Sequence, residues 1–386
     1  MVRFLHISDL HIDRPFKGVT DLSLHALQVV RQSTFLAWQK IVQYAIEQQP
    51  DFILLVGDNY DGALRSLRAQ QALQQGFEQL QAHNIPVIVS YGAHDYTDGV
   101  WSRFSYPDNV ISMPSKTTTI TLPIEGGVKI TGCSYQRPQM PTALWDTYPQ
   151  VDKKHIHIAM LYGEVTEQQL KAKGYDYTAL GGQHESRVVT QQPYSAYSGT
   201  PQSTSALETG SRGFLDVTVT KGECVTKFIP IAPLVYLREE IDASTIRYAN
   251  DLMVLSHNVC MRIRDKYQAA FVHLTLTNLT EEGSKLWHST TEVEWLKVLR
   301  EMESEQLPFV WLAKMEAVTN APRPTTNAAQ QVIETMHSWK EDDWQHVLAS
   351  LYQNGTASRL LQETPIDVST LLREAEQLFL RKMQES

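Results

Sequence analysis

Apolar positions near the start of the chain fall into short unbroken runs, separated by longer stretches in which they recur every three or four residues. The runs are "VRFLHI" (Val2–Ile7), "FILLV" (Phe52–Val56) and "IPVIVSY" (Ile85–Tyr91). They are too short for helices, and each reads as a buried strand. From Leu24 to Gln48 the residues Leu27, Val30, Phe35, Trp38, Val42 and Ala45 keep helical spacing, and from Leu67 to Asn84 so do Leu73, Phe77 and Leu80. Strand, helix, strand, helix, strand predicts parallel strands joined by right-handed crossovers.

From about Thr117 the texture changes to short alternating strands with turn signals: "TTTITL", "VKITGCSY", "HIHIAML", "YSAYSG", "FLDVTV" and "CVTKFIPI". They predict mainly antiparallel strands, and so two packed sheets with helices outside. Near "PLVYLREEIDAST" (Pro233–Thr245) the character shifts again. A helix through Asp251–Lys266, a strand at Ala269–Thr277, a helix in "EVEWLKVLREM" and a strand in "PFVWLAKMEAV" predict a compact α+β domain. "NAPRPTTNA" (Asn320–Ala328) reads as a loop by its prolines. In the closing segment Asp367 is a plausible N-cap, and Val368, Leu371, Leu372, Ala375, Leu378 and Phe379 make one apolar stripe. That stripe either folds back on its own domain or binds a partner helix. The expected partition is 1–235, 236–322 and 323–386, with 365–386 as the candidate partner-binding helix.

Charge and cysteine content narrow the class. Lys and Arg total 34 against 43 Asp and Glu, a net charge of −9, so no global basic field draws the chain onto a polyanion. Contact with nucleic acid needs a local basic patch or a partner that carries the charge. Cys133, Cys224 and Cys260 form neither a disulfide framework nor a zinc pattern. No leader and no apolar stretch of membrane-spanning length is found, so the expectation is a cytoplasmic globular protein without membrane contact.

The candidate chemistry lies at strand ends. The first strand ends in "SDLH", placing Asp9 and His11 two apart. The second ends in "VGDNYD", with Asp58 after a glycine, and the third in "SYGAHDY", with His94. Carboxyl ends of parallel strands cluster, and ligands bind there. The ordered set D-x-H, G-D-x-x-D and G-x-H-D, spaced about 50 and then 35 residues apart, is far more specific than any one of its parts.

These residues resemble the calcineurin-like metallophosphoesterase superfamily, and within it the SbcD/YhaO-like DNA repair exonuclease family. The resemblance runs from Met1 to about Pro233 and includes "GYDYTALGGQHESRVV" and "YSGTPQSTSALETGSRGF". It implies a four-layer α/β/β/α sandwich with a smaller α+β capping domain and C-terminal helices. The implied activity is hydrolysis of DNA phosphodiesters by two divalent ions that share an Asp. The implied partners are DNA, as ends or single strands, and an SMC-like ATPase of the SbcC type; a homodimer is also compatible.

Carried over residue by residue, the first metal site is complete: Asp9, His11, Asp58 and His184. The second keeps only the shared Asp58. Ala93, Tyr162 and Gly182 stand where the family has Asn, His and His. One ion is therefore expected, with Mn²⁺ ahead of Fe²⁺ or Zn²⁺ for this mixed N/O set. Glu164, Glu185 and Asp95 are the positions that could rebuild a second site. His94 matches the family's catalytic His. Losing one of two ions forfeits several kcal/mol of transition-state stabilisation, or roughly 10²–10⁴ in rate. The expected function is an impaired metal-dependent exonuclease; the alternative is a catalytically inactive DNA-end-binding or scaffold subunit of an SMC-like complex.

Weaker candidates are His6, read as packed in the first strand, Asp61, read as orienting a neighbour, and the pair His155 and His157, read as inert. Arg14, Lys17, Arg65, Arg68, Arg137 and Arg187 lie near the expected mouth, while Tyr91, Tyr96, Trp101 and Tyr135 could stack bases but read better as core or rim.

Overall fold

The computed structural model describes residues 1–18, 22–64, 66–99, 104–124, 127–139, 143–303, 306–318 and 327–339, together with 343, 371–372, 375–376 and 379. Arg65, Trp101, Asp367 and most of 365–386 lie outside the described residues. The chain divides into two compact units, 1–317 and 318–386.

The first unit opens with β1 (Val2–Ser8), α1 (Leu24–Gln48), β2 (Phe52–Val56), α2 (Leu67–Ala82), β3 (Val87–Ser90) and β4 (Val110–Ser112). Both helices start where a serine hydroxyl accepts a first-turn amide, Ser23 from Ala26 and Ser66 from Ala69, each at 3.1 Å. The four strands pair in parallel, in the order β1-β2-β3-β4. Their alternate residues serve two cores. Leu5, Ile7, Ile53, Leu55, Val87 and Val89 meet Trp38, Ile41, Leu73 and Phe77 of the helices. Phe4, Phe52, Leu54, Val56 and Ile88 point the other way, into a second sheet.

That second sheet comprises β5 (Thr118–Leu122), β6 (Val128–Gly132), β7 (Ile156–Tyr162), β8 (Tyr177–Gly181), β9 (Arg187–Gln191) and β10 (Tyr194–Tyr197), in the order β5-β6-β7-β8-β10-β9. α3 (Glu167–Lys173), capped by a Thr166–Gln169 box, and a short turn at Leu144–Thr147 cover its outer face through Trp145, Tyr148, Leu170 and Tyr175. β11 (Gly213–Thr220) and β12 (Glu223–Pro230) then return to the first sheet, antiparallel, beside β1. The result is a four-layer α/β/β/α sandwich. One expectation changes: β6, β7, β8 and β10 run parallel, and among the described residues each antiparallel pair involves β5, β9, β11 or β12. The cause is connectivity, since the segments from β6 to β7 and from β7 to β8 are long enough to cross over rather than turn back.

β13 (Val235–Asp242), α4 (Ala249–Arg264), β14 (Ala269–Thr277), α5 (Glu281–Trp287), α6 (Glu292–Glu303) and β15 (Phe309–Ala317) form a three-stranded parallel sheet with helices. Its Tyr236, Phe271, Phe309 and Trp311 pack on Ala26 and Val30 of α1, which ties it to the sandwich. In the second unit α7 (Asn327–Ser338) is helical, and His337 bonds Glu376 at 3.0 Å.

His6 lies fully buried between the two sheets. Leu180 offers its Nε2 only a carbonyl oxygen, at 3.2 Å, so Nε2 carries the proton and Nδ1 accepts from the Tyr177 hydroxyl at 2.8 Å. Burial lowers its pKa from 6.5 to about 3. The unfolded chain therefore takes up this proton first as pH falls, and stability is full above pH 6.5 and drains towards pH 3. From pH 7 to pH 5 the expected loss is about 2 kcal/mol. Urea unfolding of His6→Gln against the unaltered chain checks this: the variant's stability should change less over that interval.

Candidate metal centre

The loops that follow β1, β2, β3, β7 and β8 meet at one edge of the two facing sheets. Backbone bonds lace the first three together: Asp9 N–H to Gly57 O at 3.1 Å, His11 N–H to Asp58 O at 2.9 Å and Gly57 N–H to Ser90 O at 3.1 Å. Asp9, His11 and Asp58 adopt φ of 53°, 42° and 52°, a left-handed backbone that non-glycine residues rarely hold. Such strain persists only where surrounding bonds enforce it, and it concentrates at functional sites.

Asp9, His11 and His184 each place a ligand atom within 4.8 Å of the others'. The two Nε2 atoms lie 3.2 Å apart. His11 Nδ1 bonds the Asp61 carboxylate at 2.7 Å, and His184 Nδ1 bonds that of Glu208. A carboxylate only accepts, so each Nδ1 donates to its carboxylate, and the two Nε2 atoms face each other. Asp9 is fully buried and receives the Gly182 N–H on both oxygens, at 3.0 and 3.2 Å. Burial, and then the nearby Asp58 charge, raise its pKa. Burial opposes the charge on His184, but Glu208 and Asp9 hold its pKa above the usual value. Two facing imidazole nitrogens beside a buried carboxylate form a mixed N/O donor set that suits a divalent cation.

Asp58 stands on the other side of His11, its Oδ2 3.6 Å from Nε2. Its Oδ1 accepts the His94 amide at 2.9 Å, and its Oδ2 accepts the Tyr162 hydroxyl at 2.6 Å. The His94 side chain is 44% exposed, with Nε2 3.9 Å from Asp58 and Nδ1 3.9 Å from Asp61. Burial lowers its pKa.

A scan against family models matches residues 2–186 to the calcineurin-like phosphoesterase domain. The metallophosphoesterase YhaO of Bacillus subtilis (strain 168) is 29% identical over 340 residues, spanning 84% of this chain and 83% of its own. These matches place residues 2–186 in the calcineurin-like metallophosphoesterase superfamily. Among solved structures, GAP50, the anchor in the inner membrane complex of Plasmodium, covers 59% of this chain and 84% of its own at 13% identity and a TM-score of 0.38. A dimetal phosphatase from Danio rerio covers 59% and 98% at 11% identity and a TM-score of 0.36. Membership implies a divalent metal at this centre and phosphoester hydrolysis as its chemistry. Among the described residues no helix is long and apolar enough to cross a membrane.

In this phosphoesterase the three candidate replacement ligands do not join the cluster around Asp9. Glu164 and Glu185 are exposed. Asp95 is fully buried and spends its carboxylate on the loops: it accepts from the amides of Asp58, Asn59 and Gly92 and from the Asn59 side chain, at 2.6–3.2 Å. Burial, then Asp58, raise its pKa to about 7. Asp95 fixes Asp58 from behind. Asp95→Ala is expected to cost about 2–4 kcal/mol of stability in a urea melt.

The remaining candidates sort by their contacts. Asp61 orients His11, as anticipated. Arg14 lies in the site, 3.3 Å from Asp61 and 3.0 Å from His11 Nε2. Arg68 covers Phe35 at 4.0 Å, Arg187 lies 5.7 Å from Tyr197, Lys17 bonds Thr204 and Ala206 through its backbone, and Arg137 is exposed. Tyr91 and Tyr135 are buried and Tyr96 half-buried, as core and rim residues. His155 and His157 gather around Asp152, but the Lys129 ammonium already sits 2.7 Å from that carboxylate. Glu208 is the functional residue that sequence reasoning missed. Its signal was its place in "ALETG", within the quoted stretch that carries the resemblance and 24 residues beyond His184.

Proposed function

We propose that this protein hydrolyses phosphodiesters in DNA, at ends or in single strands, using one divalent ion held by Asp9, His11, Asp58 and His184. The carrying observation is the pair of Nε2 atoms 3.2 Å apart beside buried Asp9, each ring fixed by a carboxylate. Manganese suits this donor set best, with iron or zinc as alternatives. When bound, the ion supplies Lewis acidity towards water and phosphate. The chain's own residues do the rest. Asp61 and Glu208 hold the two imidazoles, Asp95 holds the Asp58 loop, and exposed His94 would serve a leaving oxygen. Arg14 offers the nearest positive charge to a phosphate.

A second reading, a non-catalytic DNA-end-binding or scaffold subunit, is favoured by the Tyr162 hydroxyl, which engages the carboxylate that two ions would share. In either role an SMC-like ATPase is the partner that would bring the charge this acidic chain lacks. Elemental analysis after purification with Mn²⁺, followed by cleavage of end-labelled single- and double-stranded oligonucleotides, separates the readings. About one ion per chain with slow cleavage, lost in His184→Ala, supports the enzyme. One ion without cleavage supports the scaffold, and no ion at all sinks the metal reading. Co-purification of the ATPase with the full chain, but less with a chain lacking residues 365–386, would place the partner contact.

A further inference from the structure

Tyr162 closes β7 at the position where the resemblance leads one to expect a metal-ligating His, and its surroundings are made to hold a ring. Three glycines wall it. A Cβ built on Gly57 would lie 2.1 Å from the Tyr162 ring, one on Gly92 2.7 Å, and one on Gly182 3.3 Å. Gly57 and Gly182 have positive φ and need glycine for their backbone as well. At Gly92 the exclusion is steric: the added carbon would meet the Tyr162 ring and, at 2.5 Å, Asp58 Oδ1. Behind the phenol, the Tyr135 ring packs edge-on at 5.1 Å, and its hydroxyl donates to the Tyr162 carbonyl at 2.8 Å. The phenol tip donates to Asp58 Oδ2 at 2.6 Å.

We infer that Tyr162 sets the ion count of this centre: its ring fills the second cation's place and its hydroxyl occupies the carboxylate that cation would share. This deepens the reading proposed above and rests on it. The changes at positions 162 and 182 then have one common cause: Gly182 lines the slot, and a longer side chain there would contend with the ring. Restoring ligands while the ring remains should therefore not restore an ion.

The test is metal stoichiometry in Mn²⁺, by elemental analysis and by anomalous scattering at the manganese edge, which also locates each ion. The unaltered chain, Ala93→Asn and Ala93→Asn/Tyr162→Phe should each hold one ion per chain. Ala93→Asn/Tyr162→His should hold two, the second beside Asp58. Two ions in the unaltered chain, in Ala93→Asn or in the Phe variant would overturn the inference, because the ring would not be excluding anything. So would a folded Ala93→Asn/Tyr162→His that stays at one. Absence of any ion from the unaltered chain would instead bring down the metal reading itself. Thermal melts of each variant, with and without Mn²⁺, confirm that a missing second ion is not a missing fold.

Discussion

Asp9→Asn is expected to abolish divalent-metal binding at this centre and, on the proposed function, to lower phosphodiester turnover by about 10²–10⁴-fold. Asparagine keeps the size of the side chain and an oxygen to accept the Gly182 amide, which now bonds Asp9 at 3.0 and 3.2 Å. It loses the charge that balances the cation. The same change should act oppositely on the ion-free fold. Asp9 is fully buried, and its raised pKa records that burial and Asp58 make the carboxylate unfavourable there. Removing that charge should raise the melting temperature without metal and abolish the further rise on adding Mn²⁺. Calorimetric titration with Mn²⁺ and paired thermal melts measure both effects. A variant that melts lower and still gains stability from Mn²⁺ would show that Asp9 serves packing and is not a ligand.

Arg264→Met should be the costliest change outside the centre, about 3–5 kcal/mol. Arg264 closes α4 and Glu303 closes α6, and their side chains are 5% and 4% exposed. The guanidinium pairs with Glu303 and bonds the Pro308 carbonyl at 3.0 Å, while His257 meets the other Glu303 oxygen at 2.7 Å. Removing the arginine leaves a buried carboxylate with only a partly exposed imidazole for company. The desolvation already suffered is then no longer offset. Arg264→Met/Glu303→Leu should recover most of the loss, since an apolar pair of similar volume carries no such cost. Urea unfolding of the two variants decides it. A single variant within 1 kcal/mol of the unaltered chain would mean that water reaches Glu303 and that the pair contributes little.

Much of this molecule was legible in the order of its residues. Unbroken apolar runs have the length of a buried strand, and residues three or four apart share a helix face. β2, α1 and β14 therefore lie at their anticipated bounds. Short motifs at strand ends named Asp9, His11, Asp58 and His94, because a parallel sheet leaves its chemistry little choice of place, and the family resemblance added His184. Other features were set by partners distant in sequence. β13 carries the charged run Arg238–Glu240, which hides a strand until its parallel pairing with β14 shows that it forms a sheet edge. The parallel centre of the second sheet depends on which strands became neighbours. Glu208 counts only because folding brings it to His184, and Asp95 turns out to be a backbone clamp because four donors converge on it. The sequence could report that a ligand was missing at position 162, but not that the phenol reaches across 104 residues to Asp58 through a slot of three glycines. Periodicity and local motifs are properties of neighbours along the chain. The occupancy of a cavity is a property of neighbours in space, and close packing alone decides it.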